Sequence, residues 1–204
     1  MTSALHSRDE GWRPFDRAPG AYDAWFDGER GRRIFETELA CVRPLLEPCP
    51  RPWLEVGVGT GRFAAALGVD AGIDPSLPAL DYAVSRGVRS AAGVAERLPL
   101  GDGSVGAVLL LVTICFVRDV DRTLAECARV LRPGGQLLTG LVPADSAWGR
   151  RYRREAAAGH PFYSAASFFT CEEVVDRAGS AGLQLARASS CLFEDPEAEV
   201  ASYA

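Results

Sequence analysis

The chain of 204 residues contains no lysine; its 22 basic side chains are all arginine. That absence excludes phosphate-binding loops of the G-x-x-x-x-G-K-[ST] type, pyridoxal Schiff bases, lysine-centred aldolases and kinase chemistry built on a strand lysine. Histidine is nearly as scarce, with 2 residues, and the 6 cysteines (41, 49, 115, 127, 171 and 191) include no C-x-x-C pair. No zinc site follows from those spacings, so no metal is expected, and the thiols are expected to be free in a reducing compartment. Long hydrophobic runs are also missing. The longest, Val105 to Val117, is too short to cross a bilayer, and Met1 to Asp9 lacks the apolar core of a signal peptide. A cytoplasmic protein with no membrane partner is the expectation. Nor is there an excess of positive charge: a net charge of −5 argues against a nucleic-acid partner. The local cluster Arg150, Arg151, Arg153 and Arg154 reads as a solvated helix face.

What is present fits one domain, 1–204, with 48% hydrophobic and 24% charged residues. Leu54-Glu55-Val56-Gly57-Val58-Gly59-Thr60-Gly61-Arg62-Phe63 places three glycines on alternate positions after an apolar run. This is a strand, a tight loop and a helix start, where α/β proteins hold nucleotide-like ligands. Asp74 ends a second short strand, placed to accept hydrogen bonds from both hydroxyls of a ribose. A dinucleotide fingerprint G-x-G-x-x-G would need glycine at 62, where Arg62 stands, and this counts against a Rossmann oxidoreductase. What remains is the pattern E-x-G-x-G-x-G, with Glu55 two residues ahead of the first of three glycines that allow close approach by a ligand.

Strands and helices alternate along the chain. Ile34, Phe35, Leu39, Val42, Leu45 and Leu46 fall at helical spacing; a helix opening at Pro75-Ser76 is capped by Ser76. Further strands are expected over Arg89 to Gly93, over the Val105 to Val117 run, over Gln136 to Val142, and over Leu183 to Phe193. A helix over Val120 to Leu131 stops at Arg132-Pro133-Gly134-Gly135. The rhythm predicts a doubly wound α/β sheet in three layers, α/β/α, with the Val105 run at its centre. The expected division is a poorly ordered stretch over 1–16, a helical cap over 17–52, a cofactor-binding core over 53–143, and an acceptor-side segment with a C-terminal strand over 144–204.

With these elements in place, the chain resembles class I S-adenosylmethionine-dependent methyltransferases. Val94-Ala95-Glu96-Arg97-Leu98-Pro99 looks like the A-E-x-L-P element after strand three, and Arg129 to Gly135 like the R-V-L-x-P-G-G element before strand five. Together with Glu55 to Gly61 and Asp74, they match the type 11, ubiquinone-biosynthesis-like branch from about Tyr22 to Phe193. The resemblance implies a Rossmann-like sheet, S-adenosylmethionine as cofactor and S-adenosylhomocysteine as product. It also implies that Asp74, with Pro75 beside it, binds the ribose, that Glu96 and Ala95 face the adenine, and that Gly57, Gly59 and Gly61 lie on the methionine side near Glu55. Tyr22 is expected to fold over the cofactor and Thr113 to border its methionine end.

Two departures from the family pattern are visible. Val105-Gly106 replaces the usual Phe-Asp, and no apolar run is left for strand seven, so that strand is expected to be missing, with the edge trimmed or covered by a partner. The acceptor implied is a small molecule. Trp148, Tyr152, Phe162 and Tyr163 are candidates for its pocket, although aromatics in this segment could equally pack in the core. His160 is the candidate base, set against a plainer role in capping the chain; a monomer or homodimer is expected. The alternative function is a non-catalytic sensor or assembly subunit that binds the cofactor without turnover.

Overall fold

The computed structural model describes residues 11–193 and Pro196. Five parallel strands, β1 (Trp53–Val56), β2 (Ala71–Asp74), β3 (Ser90–Ala92), β4 (Val105–Leu111) and β5 (Leu131–Gly140), form one sheet in the order β3-β2-β1-β4-β5. The helices among the described residues are α1 (Arg13–Arg17), α2 (Pro19–Trp25), α3 (Glu29–Leu46), α4 (Arg62–Leu67), α5 (Leu77–Ser85), α6 (Val120–Val130), α7 (Ala147–Ala157) and α8 (Cys171–Ser180), with a 3₁₀ turn at Tyr163–Ala165.

The apolar run of β4 explains the layering. Val108 and Leu110 enter one core with Leu124, Cys127 and Val174, while Ala107 and Leu109 enter the other with Leu46, Ala64 and Leu80. A strand buried on both faces lies inside the sheet, and helices have to cover both sides; β4 is interior but next to the β5 edge, and β1 is the middle strand. Helices α3, α4 and α5 therefore lie on one face and α6 and α8 on the other, a doubly wound three-layer α/β/α sandwich. Strand order reverses between β1 and β4, which opens a crevice at their carboxyl ends.

Several local expectations change in detail. The strand expected to run to Val117 ends at Leu111, because Val112 takes φ 56° and turns the chain across the crevice. Strand β5 begins earlier than expected, at Leu131, with a bulge: Val105 pairs with Leu131, and the regular register resumes at Ala107 with Gln136. Pro133, which has no N–H to give to a ladder, sits inside that bulge. The helix after Pro75 is capped as expected, Ala79 N donating to Ser76 Oγ at 3.2 Å. Gly106 occupies the place of the usual aspartate because a Cβ there would overlap the Pro50 carbonyl.

Two larger expectations are corrected. No strand forms over residues 183–193. That segment instead lies along α3, where Arg187 Nη2 donates to the Leu45 carbonyl at 3.1 Å and Cys41 Sγ to Ser189 Oγ at 3.3 Å. Of the stretch 1–16 expected to be poorly ordered, residues 1–10 lie outside the described residues, and the remainder is structured. Helix α1 carries Phe15 into ring contacts with Tyr22, Phe116 and Phe162 at 5.0, 4.8 and 5.1 Å between centroids. A single aromatic residue with three ring neighbours fixes a segment that composition alone describes as polar.

Arg62, the residue that breaks the dinucleotide fingerprint, anchors the helical cap. Its Nε and Nη2 donate to the two carboxylate oxygens of buried Asp23 at 2.8 and 2.9 Å, and Nη2 also donates to the Asp23 carbonyl at 2.9 Å. Arg86, at the end of α5, adds a 2.7 Å bond to Asp23 Oδ2. Burial opposes ionisation of Asp23, but hydrogen bonds from Arg62, Thr60 and Arg86 outweigh it and pull its pKa to about 2. The cap helix α2 is thus fastened to α4 and α5 by one carboxylate. Replacing Asp23 with Asn leaves two partly buried guanidiniums short of a counter-charge and is expected to cost roughly 3 kcal/mol in urea denaturation. Asp27→Asn, which removes an exposed partner of the same Arg62, is expected to cost less than about 1 kcal/mol.

Candidate active site

The crevice at the switch point opens into a cavity of about 560 Å³. Its floor comes from strand ends: Gly57 and Gly59 after β1, Asp74 and Pro75 after β2, and Val112 and Thr113 after β4. Ala95 and Glu96 line one side, and Tyr22 from the cap lines the other. Of the candidate cofactor residues, eight therefore meet around one cavity. Gly61 and Glu55 do not reach it.

Each of these placements has a local cause. Asp74 accepts from Gly59 N through Oδ2 (2.8 Å) and from Ser76 N through Oδ1 (2.9 Å). Every carboxylate oxygen has further lone-pair capacity, so both remain able to accept from a diol. Burial raises the Asp74 pKa despite those two bonds. Glu96 Oε1 accepts from Arg118 N (2.8 Å) and Asp119 N (3.2 Å), which leaves Oε2 available to the cavity. The two sequence elements around residues 94–99 and 129–135 turn out to be one clamp: Arg129 donates to the carbonyls of Leu98 (3.2 Å) and Leu100 (2.8 Å), while Leu98 N donates to Glu126 at 2.8 Å. Thr113 Oγ1 donates to the Gly57 carbonyl at 3.4 Å and so ties the ends of β1 and β4 together.

Gly61 has a structural reason to be glycine. It takes φ +78° at the start of α4, and a Cβ would come within 2.8 Å of Ala83 on α5. Glu55 lies 2% exposed beneath the glycine loop, hydrogen-bonded by the Ala64 backbone, with Oε2 lacking a hydrogen-bond partner. Burial first, and then the Asp74 charge, push its pKa up to about 8. Its negative charge is thus held back at neutral pH, one residue layer behind the cavity wall.

A second cavity of about 280 Å³ lies across a wall shared with the first, formed by Phe15, Tyr22, Leu111, Val112 and Phe116. The candidate acceptor residues Tyr152, Phe162 and Tyr163 line it, as does His160. Trp148 does not. It is buried with Ile34 in a small core of its own, because α7 points it toward α3 under Arg30, whose guanidinium stands 5.5 Å from the indole centroid. His160 has the capping role: its Nδ1 accepts from Phe162 N and Tyr163 N at 3.3 and 3.4 Å, and its ring stacks on Tyr163 at 4.2 Å. The other nitrogen, Nε2, is left for the cavity. Burial holds the phenols of Tyr22 and Tyr152 protonated, and it raises the Cys115 thiol to about 12.

The sequence reading missed Glu38, Phe15 and Val112. Among the described residues, Glu38 is the one carboxylate lining the aromatic cavity. It follows Ile34 by four residues on the apolar stripe of α3, and an acid on that stripe was the signal available. Val112, a β-branched residue at positive φ, lines both cavities; strain of this kind gathers at functional sites. Among the described residues, no group of three or more His, Cys, Asp or Glu could hold a metal ion.

A parallel sheet with a glycine loop, a ribose-type acid and a shaped cavity at its switch point defines a nucleoside-binding α/β protein. Comparison with known proteins narrows that class. Residues 54–139 match the type 11 family described as a methyltransferase domain. A solved SAM-dependent methyltransferase from Thermotoga maritima, described as a possible histamine N-methyltransferase, is 40% identical with a TM-score of 0.79, covering 84% of this chain and 80% of that one. An uncharacterized Mycobacterium tuberculosis protein is 42% identical over 180 residues, 88% of this chain and 63% of that protein. An uncharacterized Methanocaldococcus jannaschii protein is 30% identical over 181 residues, 89% of this chain and 86% of that protein. The chain belongs to the class I SAM-dependent methyltransferase family, type 11, and it spans 63% of the length of its Mycobacterium relatives.

The raised pKa of Glu55 has a consequence for stability. Its folded value, about 8, lies above the ordinary 4.5, so its contribution is fully present below about pH 4.5 and is lost as pH climbs through about 8. Between about pH 5 and about pH 9, unfolding free energy from urea titration should fall more in the wild type than in Glu55→Gln. Equal falls in both proteins would contradict a protonated Glu55.

Proposed function

We propose that the protein transfers a methyl group from S-adenosylmethionine to a small molecule bound in the aromatic cavity. The observation that carries this reading is the pair of cavities, one at the strand ends beside Asp74 and Glu96 and one lined by aromatic rings, that meet at the wall of Phe15, Tyr22 and Phe116. S-adenosylmethionine supplies an electrophilic methyl group on a sulfonium.

The residues present fit that cofactor. Asp74 offers acceptor capacity for a ribose diol, and the free oxygen of Glu96, beside Ala95, suits an adenine amino group. The Gly57–Gly59 loop allows close backbone approach by an amino acid tail, with Thr113 at its border. Glu55 behind the loop ionises more readily once a cation lies near it. The wall of rings excludes water and holds the two ligands in a fixed relation, which is the main contribution a protein makes to an in-line transfer. No helix among the described residues is long and apolar enough to cross a membrane, and the arginines at 150, 153 and 154 are exposed on α7. A cytoplasmic monomer or homodimer suffices for this scheme. The non-catalytic alternative draws no support from the relatives or from the second cavity.

Calorimetric titration tests the reading. Wild-type protein is expected to bind S-adenosylhomocysteine with a Kd on the order of micromolar, and Asp74→Ala to lose at least about tenfold of that affinity. Folded wild-type protein that binds neither S-adenosylmethionine nor S-adenosylhomocysteine would refute it.

A further inference from the structure

The aromatic cavity contains a carboxylate that no cation among the described residues answers. Glu38 lines it together with Tyr22, Tyr152 and Tyr163, and no arginine shares the lining. Glu38 makes no hydrogen bond or ion pair among the described residues, although arginine is abundant and pairs acids throughout the remainder of the fold, as at Asp23, Asp102, Asp121 and Glu126. An enclosed carboxylate without a partner is costly, and a protein that keeps one facing a ligand-sized space has a position for a cation. The walls around it suit the same occupant. Tyr163 is stacked between Tyr152 and His160, each at 4.2 Å, and beside that stack Tyr22 and Phe162 stand 5.9 Å apart between centroids; aromatic rings whose faces are not already stacked attract ammonium groups when water is excluded.

We propose, resting on the methyl-transfer reading above, that the acceptor is a small amine with an aromatic or apolar body, and that the Glu38 carboxylate holds its ammonium group. The cavity of about 280 Å³ admits only a small molecule, at the lower end of ligand sites. Two properties of Glu38 then serve the chemistry. Its charge is the only carboxylate charge among the described residues of the lining, so it selects an amine over a neutral molecule of the same shape. Burial pushes its pKa to about 7, close to the operating pH, which suits proton exchange with a bound ammonium. In that exchange one N–H bond breaks and one O–H bond forms on Glu38; the nitrogen gains a free lone pair, which an electrophilic methyl group requires. The titratable groups that share the cavity are Tyr22, Tyr152, Tyr163, Cys115 and His160. Burial raises the pKa of all three phenols and of the thiol, so none of these four supplies a competing anion near neutral pH.

Two probes of equal shape separate charge recognition from simple apolar filling: 2-phenylethylamine and 2-phenylethanol. Each is titrated calorimetrically into the full chain, wild type and Glu38→Gln, with and without saturating S-adenosylhomocysteine. The amine is expected to bind wild type at least about tenfold more tightly than the alcohol. Glu38→Gln is expected to bring that ratio close to one while S-adenosylhomocysteine affinity stays within about twofold. Glu38→Asp, which keeps the charge on a shorter arm, is expected to retain part of the preference. Equal binding of amine and alcohol by the wild type, binding of neither, or a preference that survives Glu38→Gln would overturn the assignment. The two readings fail separately: amine selection through Glu38 without any S-adenosylhomocysteine binding would sink methyl transfer and leave the amine site. S-adenosylhomocysteine binding without amine selection would do the reverse.

Discussion

The Asp23 carboxylate, gripped by Arg62 and Arg86, is the contact on which the site depends. The sheet and its flanking helices define the floor of the strand-end cavity by themselves, but a floor does not separate two ligands. Separation requires Phe15 and Tyr22, and both come from short helices that could not be stable alone. Helix α1 has 5 residues and α2 has 7. Their position follows from a bidentate charge pair at the start of α4 and from ring contacts with Phe116 and Phe162. Cap, glycine loop and acceptor wall are therefore one mechanical unit, and the Arg62 that departs from a dinucleotide motif is part of what holds it.

Around this unit the protein places three acids with different fates. Asp23 is fully paired and strongly acidic; Glu55 is buried behind the loop with its pKa pushed up to about 8; Glu38 faces the second cavity with its pKa at about 7. The difference lies in surroundings, since all three are carboxylates removed from bulk water to some degree. Where arginine meets the acid, hydrogen bonds outweigh desolvation. Where none does, desolvation dominates and the acid waits for a cation or a proton. With no lysine in the chain, every strong protein cation is a guanidinium, and the arrangement of the arginines decides which acids stay uncompensated.

Much of this was legible in the sequence. The glycine spacing, Asp74, Ala95-Glu96 and Thr113 converge on one cavity because strand ends and the loops after them are local features, read directly from runs and turn residues. The apolar run at β4 marked a strand buried on both faces for the same reason, while the order of the strands came from the structure. What escaped were contacts made between distant segments. Phe15 sits in a stretch whose composition is polar, so its three ring neighbours could not be inferred from its own surroundings. The Leu183–Phe193 stretch has the residues of a strand, yet hydrogen bonds to α3 at Leu45 and Cys41 hold it in another path. Trp148 and Tyr152 lie four residues apart on α7, and only the docking of that helix decides that one enters the core and the other the cavity. Glu38 carried a signal, an acid on an apolar stripe, that helical periodicity makes visible once the stripe is drawn.

The central claim is that the cavity at the strand ends takes the cofactor and the aromatic one its acceptor, with Tyr22 between them. A crystal structure of the protein soaked with S-adenosylhomocysteine tests it most directly. The claim predicts ribose hydroxyls within hydrogen-bond distance of Asp74 and the sulfur beside Tyr22, facing the cavity of Glu38. Density for the nucleoside inside the aromatic cavity, or bound outside both, would contradict it.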